Sequence, residues 1–532
     1  MISLKHLGLA LLSGLLLSLS WPTYGFSPLV FLGFVPLLIV FFQLRLEKPK
    51  RLLLKSFIPA YVSFFVFNII TTFWLYYSTA FGMWFAVLVN SGLMALVFMV
   101  YQFIAKRTSN RNALVFLIAL WIGFEKLHLH WEFSWPWLNL GNVFSDNINW
   151  MQWYEYTGTF GGTLWIWVIN MLLFNSYLKW KQNRLSKVKT SVILILLIAI
   201  PIGLSYLIKS QYTSSGKTAE VIVLQPNIDP YSEKYNTKDK QVAENLYELI
   251  EQQKPGKNSL ILSPETVFAD GTRLHRFKQS PAYDFTNKVL DKYPDASLVN
   301  GISMYEIIRD SSKVKNQTNY LRSGIWFNDF NSAFFAKADD SIQFYHKSKL
   351  VVGVENFPYQ GVLKPLLGDI MLDLGGTVAM KTTQDERIAF KVDSMVKVAP
   401  IICYESVYGE YVTDYVNNGA TILGIITNDA WWGETQGHQQ HFSYAKLRAI
   451  ETRRSVARSA NTGISGFIDP LGEVISKSVY NTRISLKAEV PIQTQKTFYV
   501  KHGDYIARIA YFFIIFIGIF AIIKHKREGI KR

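Results

Sequence analysis

Val396-Lys397-Val398-Ala399-Pro400-Ile401-Ile402-Cys403-Tyr404-Glu405-Ser406 decides the reading of this chain, because the apolar run ends in the only cysteine of 532 residues. Such a run, bounded by polar residues, predicts a buried strand with Cys403 where the strand gives way to its loop. That edge is where α/β folds keep their ligands and reactive groups. Taken alone, Cys403 reads as a small buried hydrophobe. However, the polar pair Tyr404 and Glu405 follows at once, and a carboxylate and a lysine end other apolar runs of the same region. Together these turn the reading toward a reactive thiol.

Outside this region the chain is unusually apolar. Half of its residues are hydrophobic and 15% are aromatic, and its mean hydropathy is +0.14, which points to a membrane protein. One cysteine excludes an intramolecular disulfide framework and a cysteine-rich metal site. Apolar stretches at 4–21, 27–44, 56–77, 83–105, 113–129, 161–178 and 190–208, with another at 506–523, can each cross roughly 30 Å of hydrocarbon as a helix. Glu125 and Lys126 interrupt the end of the fifth. The first has the lead-in of a signal peptide, but Ser18-Leu19-Ser20-Trp21-Pro22 is a poor cleavage site, so it reads as a retained helix.

Basic residues fill alternate loops. Arg45, Lys48, Lys50, Arg51 and Lys55 occupy one; Lys106, Arg107 and Arg111 the next; then Lys179, Lys181, Arg184, Lys187 and Lys189; and finally the tail from Lys524 to Arg532. The short loops 22–25 and 78–82 have none. The positive-inside rule then predicts cytoplasmic termini and an external segment between the seventh and eighth helices. Much of the net charge of +16 is therefore topological, and nucleic acid is not an expected partner. The aromatic loop Trp131-Glu132-Phe133-Ser134-Trp135-Pro136-Trp137-Leu138 reads equally as an interfacial belt or a substrate-facing surface. Asn68 and Asn90 are among few polar residues inside the helices, whereas a transporter needs more intramembrane charge. The bundle reads as an anchor and a lipid-facing platform.

From about residue 218 the composition becomes that of a globular α/β domain. Candidate strands lie at 219–224, 259–262, 297–301, 332–336, 387–392, 396–402, 421–426 and 463–468, and the clearest helices at 242–252 and 443–459. This mixture predicts two layered sheets covered by helices. Leu260-Ile261-Leu262-Ser263-Pro264-Glu265 is a strand ending in a carboxylate, and Tyr345-His346-Lys347-Ser348-Lys349-Leu350 sets a lysine before an apolar step. Alone, Glu265 reads as a capping or solvated residue and Lys347 as a surface lysine. With Cys403 they make chemical sense. A thiol titrates near about 8.5, so a carboxylate can take its proton as it attacks while an ammonium stabilises the oxyanion. His438 and His441 lack companion ligands, so no metal site is expected.

The set Glu265, Lys347 and Cys403, with Cys403-Tyr404-Glu405 and Thr427-Asn428-Asp429-Ala430-Trp431-Trp432-Gly433, resembles the carbon–nitrogen hydrolase (nitrilase) superfamily. With the membrane helices, Trp135-Pro136-Trp137-Leu138 and Gln225-Pro226-Asn227-Ile228, nearly the whole chain is similar to the apolipoprotein N-acyltransferase family. The resemblance implies a polytopic α-helical membrane bundle plus an extracytoplasmic α/β domain, an αββα nitrilase-like sandwich. Its divisions would be helices one to seven over 1–210, the catalytic domain over 218–500, and the last helix with its basic tail over 504–532.

It further implies Glu265 as general base, Lys347 as oxyanion stabiliser and Cys403 as the nucleophile that takes an acyl chain as a thioester. Glu355, Tyr404, Glu405, Asn428, Trp431, Trp432 and Tyr235 would support substrate and lysine. Here Leu350-Val351-Val352-Gly353-Val354-Glu355 stands where the family reads Leu-Val-Pro-Phe-Gly-Glu, and Tyr235 where it often has tryptophan. The implied donor is a phospholipid, phosphatidylethanolamine, and the implied acceptor the α-amine of a diacylglyceryl-cysteine at a lipoprotein N-terminus. The implied protein is a monomer of the bacterial inner membrane that uses no cofactor. The triad does not distinguish an amine from water, so a membrane-anchored nitrilase-type amidase stays open, as does a non-enzymatic lipoprotein-binding or transport protein. An apolar lid with glycine hinges is expected over 361–380, with Trp431 and Trp432 as the facing wall.

Overall fold

The computed structural model describes residues 2–229, 237–338, 342–362, 365 and 379–530. It forms two units, Met1–Gln211 with His502–Arg532, and Tyr212–Lys501.

In the first unit, helices stand at each of the predicted apolar stretches. They are α1 (Leu4–Leu19), α2 (Val35–Glu47), α3 (Leu52–Thr72), α4 (Ala80–Ala105), α5 (Asn110–Leu127), α6 (Thr159–Lys181), α7 (Lys187–Gln211) and the C-terminal helix Tyr505–Ile530. Hydroxyl caps start three of them: Ser3 accepts from His6 N–H, Thr79 from Gly82 N–H and Ser109 from Asn112 N–H. Among the described residues, five helices are long and apolar enough to cross a membrane: Ser27–Glu47, α3, α4, α7 and Tyr505–Lys524. The other three predicted spans differ for physical reasons. α1 has only 16 residues, and α5 and α6 carry polar groups that are paired within the bundle.

Asn170 on α6 accepts from Phe34 N–H and donates to Val30 O, both at 2.9 Å. Glu125 on α5 accepts from Trp121 Nε1 at 3.0 Å, Leu140 N–H at 2.8 Å and Thr163 Oγ1 at 2.8 Å. Lys126 pairs with Asp504 at 2.8 Å and so fastens α5 to the C-terminal helix. Asn90 Nδ2 donates to Asn68 Oδ1 at 2.7 Å and so ties α4 to α3. The aromatic loop is half-buried at Trp131, Phe133 and Trp135 and enclosed from Pro136 onward. Trp137 is buried against Trp74 with ring centres 4.9 Å apart. The Glu125 carboxylate holds the backbone of this loop at Leu140.

The second unit contains two sheets. The first joins β1 (Thr218–Gln225), β2 (Leu260–Leu262), β3 (Phe268–Arg273), β4 (Ser297–Ile308), β5 (Asn319–Arg322), β6 (Ile325–Lys337), β7 (Gln343–His346) and β14 (Ile484–Pro491). The second runs β13 (Val474–Lys477), β12 (Gly466–Ile468), β11 (Ser455–Ala460), β10 (Ile422–Thr427), β9 (Lys397–Ile402), β8 (Phe390–Lys391). Strands β1, β2 and β4 are mutually parallel, as are β9, β10 and β11. Helices α8 (Asp239–Gln253) and α9 (Pro281–Lys292) cover the first sheet through Leu246, Leu249, Ile250, Phe285 and Val289. Helices α10 (Gly409–Asn417) and α11 (Gln436–Thr452) pack on the second, and β1 and β6 of one sheet pack on β11 and β9 of the other. The result is helix, sheet, sheet, helix.

The predicted helix over 443–459 is the main correction. Helix α11 ends at Thr452 because Arg453 adopts a left-handed conformation with φ +51°, and 455–460 is strand β11, buried at every position. Three arginines of this stretch, Arg448, Arg454 and Arg458, are among the largest fully buried side chains. Strands β3, β5, β7, β13 and β14 were not expected. β5 and β13 are largely exposed and so lack an apolar run.

Replacing Glu125 with Ala should leave Trp121 Nε1 and Leu140 N–H without an acceptor, Thr163 Oγ1 keeping Asn139 Oδ1 at 3.2 Å, which costs on the order of 3 kcal/mol. Thermal unfolding in detergent should show this loss for E125A and a smaller one for E125Q, which keeps an acceptor. Equal stability of wild type and E125A would remove the carboxylate as the loop's anchor.

Candidate active site

Strand ends deliver the site. Glu265 stands three residues beyond β2, Lys347 directly follows β7, Cys403 follows β9 and Asn428 follows β10. The backbone at Glu265 runs hard against β4 at Gly301, where a Cβ would lie 2.7 Å from Glu265 Cα and 2.2 Å from Pro264 O. Only a residue without a side chain fits that crossing. Cys403 has φ +51°, an uncommon conformation for a residue with a side chain, and it turns the chain sharply out of the strand.

The Lys347 ammonium sits between two carboxylates, 2.9 Å from Glu265 Oε1 and 2.9 Å from Glu355 Oε2, and its side chain is only 2% exposed. Asn331 Nδ2 donates to both glutamates, at 2.7 Å to Glu265 Oε1 and 2.9 Å to Glu355 Oε1. Asn428 N–H donates to Glu265 Oε2 at 3.2 Å, and Val351 N–H to Glu355 Oε2 at 2.9 Å. Burial opposes the charge of Lys347, but the Glu265 and Glu355 carboxylates outweigh it and hold its pKa well above the ordinary lysine range. His346, next to it, is no second cation, since burial lowers its pKa to about 4. For Cys403 the balance runs the other way. Burial pushes the thiol up, the Glu265 carboxylate adds to this, and the Lys347 ammonium only partly opposes both. Cys403 is thus a protonated thiol beside a carboxylate and an ammonium. Such an arrangement can form a thiolate during attack and stabilise an oxyanion.

Glu405 is a buried hub. Its Oε1 accepts from Ser348 N–H, Tyr345 Oη and Tyr411 Oη, each at 2.7 Å. Its Oε2 accepts from Ile402 N–H at 2.8 Å and Tyr415 Oη at 3.1 Å. Tyr404 is buried edge-on to Tyr408, with ring centres 5.2 Å apart. Trp431 and Trp432 are half-buried in the turn after β10, and Trp432 packs edge-on to His441. Tyr235 lies outside the described residues, as do 363, 364 and 366–378 of the expected lid.

The structure thus brings Glu265, Lys347, Glu355, Cys403 and Asn428 together, with Glu405 behind them. Sequence reasoning missed Asn331, which bridges the two glutamates. The available signal was a polar residue beginning the apolar run 332–336. It also missed the tyrosines around Glu405, which come from β7 and α10 and share no local pattern.

Residues 214–497 match the family described as Carbon-nitrogen hydrolase, and residues 13–172 the one described as Apolipoprotein N-acyltransferase N-terminal domain. A Chlorobaculum tepidum protein named apolipoprotein N-acyltransferase is 29% identical over 518 residues, spanning 95% of this chain and 94% of its own. A Geobacter metallireducens protein of the same name is 26% identical over 510 residues, spanning 94% of this chain and 92% of its own. Among solved structures, Saccharomyces cerevisiae Nit3 of the nitrilase superfamily is 14% identical, with a TM-score of 0.36 over 52% of this chain and 93% of that one.

Because the folded-state pKa of Cys403 is raised, its alkylation by iodoacetamide should keep accelerating as pH rises past about 8.5, where a free thiol levels off. Glu265→Gln removes a charge that disfavours the thiolate and should move the profile to lower pH. A plateau below the free-thiol value in the wild type would show a resting thiolate instead.

Proposed function

The chain belongs to the apolipoprotein N-acyltransferases of the carbon–nitrogen hydrolase family, and from that premise we propose that Cys403 carries an acyl chain from a membrane phospholipid to the α-amine of a diacylglyceryl-cysteine lipoprotein. The observation that supports this most directly is the buried Lys347 ammonium, 2.9 Å from Glu265 and within electrostatic reach of a lone thiol, in a chain with helices able to span a membrane.

In the first half-reaction Glu265 takes the thiol proton as Sγ attacks the ester carbonyl carbon of the donor. Lys347 stabilises the oxyanion. The carbon–oxygen bond then breaks, the departing glycerol oxygen takes the proton from Glu265, and a lysophospholipid leaves a thioester on Cys403. In the second, the neutral amine of the acceptor attacks the thioester carbonyl and Glu265 takes its proton. The carbon–sulfur bond breaks, and the thiolate recovers the proton as the amide departs. Asn331 and Glu355 hold Lys347 in place through both steps. A phosphatidylethanolamine donor, a monomeric enzyme and a catalytic unit on the outer face of the bacterial inner membrane complete the proposal.

Exposed to phospholipid alone, the protein should gain one acyl mass on Cys403 and release one lysophospholipid per site. A diacylglyceryl-cysteine peptide should discharge it, and the same peptide with a blocked amine should not. Cys403→Ala, Glu265→Ala and Lys347→Ala should each abolish the gain, with double variants no worse than single ones. Rapid discharge by water would favour an amidase, and lysophospholipid released only when both substrates are present would rule out this order of events.

Orientation has its own test. Reporter fusions after Ser186 and after Lys315 should report opposite sides of the membrane, because basic residues fill alternate loops. The same side for both would overturn the assignment.

A further inference from the structure

Behind the nucleophile lies a second group of buried charges that the acyl-transfer steps do not use. It consists of Asp429 in the turn after β10, His441 on α11 and Arg458 in β11, and all three side chains are fully buried. Arg458 Nη2 donates to Asp429 Oδ2 at 2.7 Å and lies 2.9 Å from His441 Nδ1. Asp429 Oδ1 lies 3.0 Å from that same ring nitrogen and accepts from Thr427 Oγ1 at 2.9 Å. The chain at Gly463 closes over the carboxylate so tightly that a Cβ would come within 2.9 Å of Asp429 Oδ2.

The far side of the imidazole faces Cys403. His441 Nε2 lies 3.3 Å from the Cys403 carbonyl oxygen and 2.9 Å from Ser406 Oγ, which donates to the same carbonyl at 2.7 Å. That carbonyl belongs to the residue with φ +51°. A left-handed residue with a side chain persists only where its surroundings over-determine it, and here two side chains grip its carbonyl. The direction of the peptide plane at Cys403 fixes the direction of Cα–Cβ, and so of the thiol. One buried carboxylate is therefore linked, through the His441 ring, to the backbone of Cys403. With Nδ1 engaged by Asp429 and Arg458 and Nε2 by the Cys403 turn, His441 has a task without any ligand.

We propose that Asp429 and His441 are positioning residues for Cys403: the Asp429–Arg458 pair locks the imidazole, and the imidazole holds the Cys403 carbonyl in the turn that aims the thiol. This rests on the reading of Cys403 as the acyl-carrying nucleophile. The two ring nitrogens allow it to be tested with variants that keep different halves of the contact. In His441→Gln the amide nitrogen reaches the position of Nε2 and can still donate to the Cys403 carbonyl. In His441→Asn it reaches only the position of Nδ1, so the tie to Asp429 survives and the grip on Cys403 is lost.

H441N should slow thioester formation from phospholipid by about tenfold or more with little change in KM, because a misaimed nucleophile loses rate rather than binding. H441Q should stay within about threefold of wild type. Both should have similar melting temperatures in detergent. Equal rates for the two variants, or rates that merely follow their melting temperatures, would overturn the proposal and leave a structural ion cluster. If the wild type itself forms no thioester, acyl transfer is what fails. Alkylation of Cys403 by iodoacetamide then still decides the positioning role, since H441N should alter its rate and H441Q should not.

Discussion

One ammonium between two carboxylates governs this site. Lys347 is almost fully enclosed, and a lone charge at such a position would be too costly to keep. Glu265 and Glu355 offset that cost, and Asn331 bridges the carboxylates that would otherwise repel each other. The pairing has a chemical consequence. Burial, aided by the Glu265 carboxylate, holds the thiol protonated, and the Lys347 ammonium opposes this only in part. In the proposed reaction, base and electrophile are therefore in place before any substrate arrives, and electrostatic preorganisation of this kind is generally the largest contribution an active site makes.

Two sheets packed face to face bring the thiol to these ions. Glu265 and Lys347 come from the first sheet, and Cys403 and Asn428 from the second. The parallel strands β2, β9 and β10 all release their chains at the same kind of edge, where backbone groups unused by the ladder are free to bind side chains. Asn428 N–H reaching Glu265 from the other sheet is one such bond.

Much of this was legible in the sequence, for a physical reason. Strand β9 is buried along its length, so it reads as an apolar run, and the reactive residue interrupts that run at its end. The membrane helices were legible on the same principle. What the sequence hid is burial achieved by pairing. Arg448, Arg454 and Arg458 look like a solvated helical face, but each is enclosed and bonded to carbonyls or carboxylates. Polarity in sequence marks exposure only when no partner awaits in the fold. Asn331 was hidden because its partners lie 66 and 24 residues away. The edge strands β5 and β13 were hidden because exposure erased their pattern.

The Glu405 carboxyl group has a use beyond stability. One of its oxygens holds the backbone just after Lys347 and the other holds the backbone just before Cys403. The span from cation to sulfur is thereby measured by a single rigid three-atom group rather than by the loops that separate the two residues in the chain. Sheets can shear and loops can lengthen without resetting that span, because both ends hang from the same ruler. The chain between Glu355 and β8 can thus change length without resetting that span, as long as it returns to the same two oxygens.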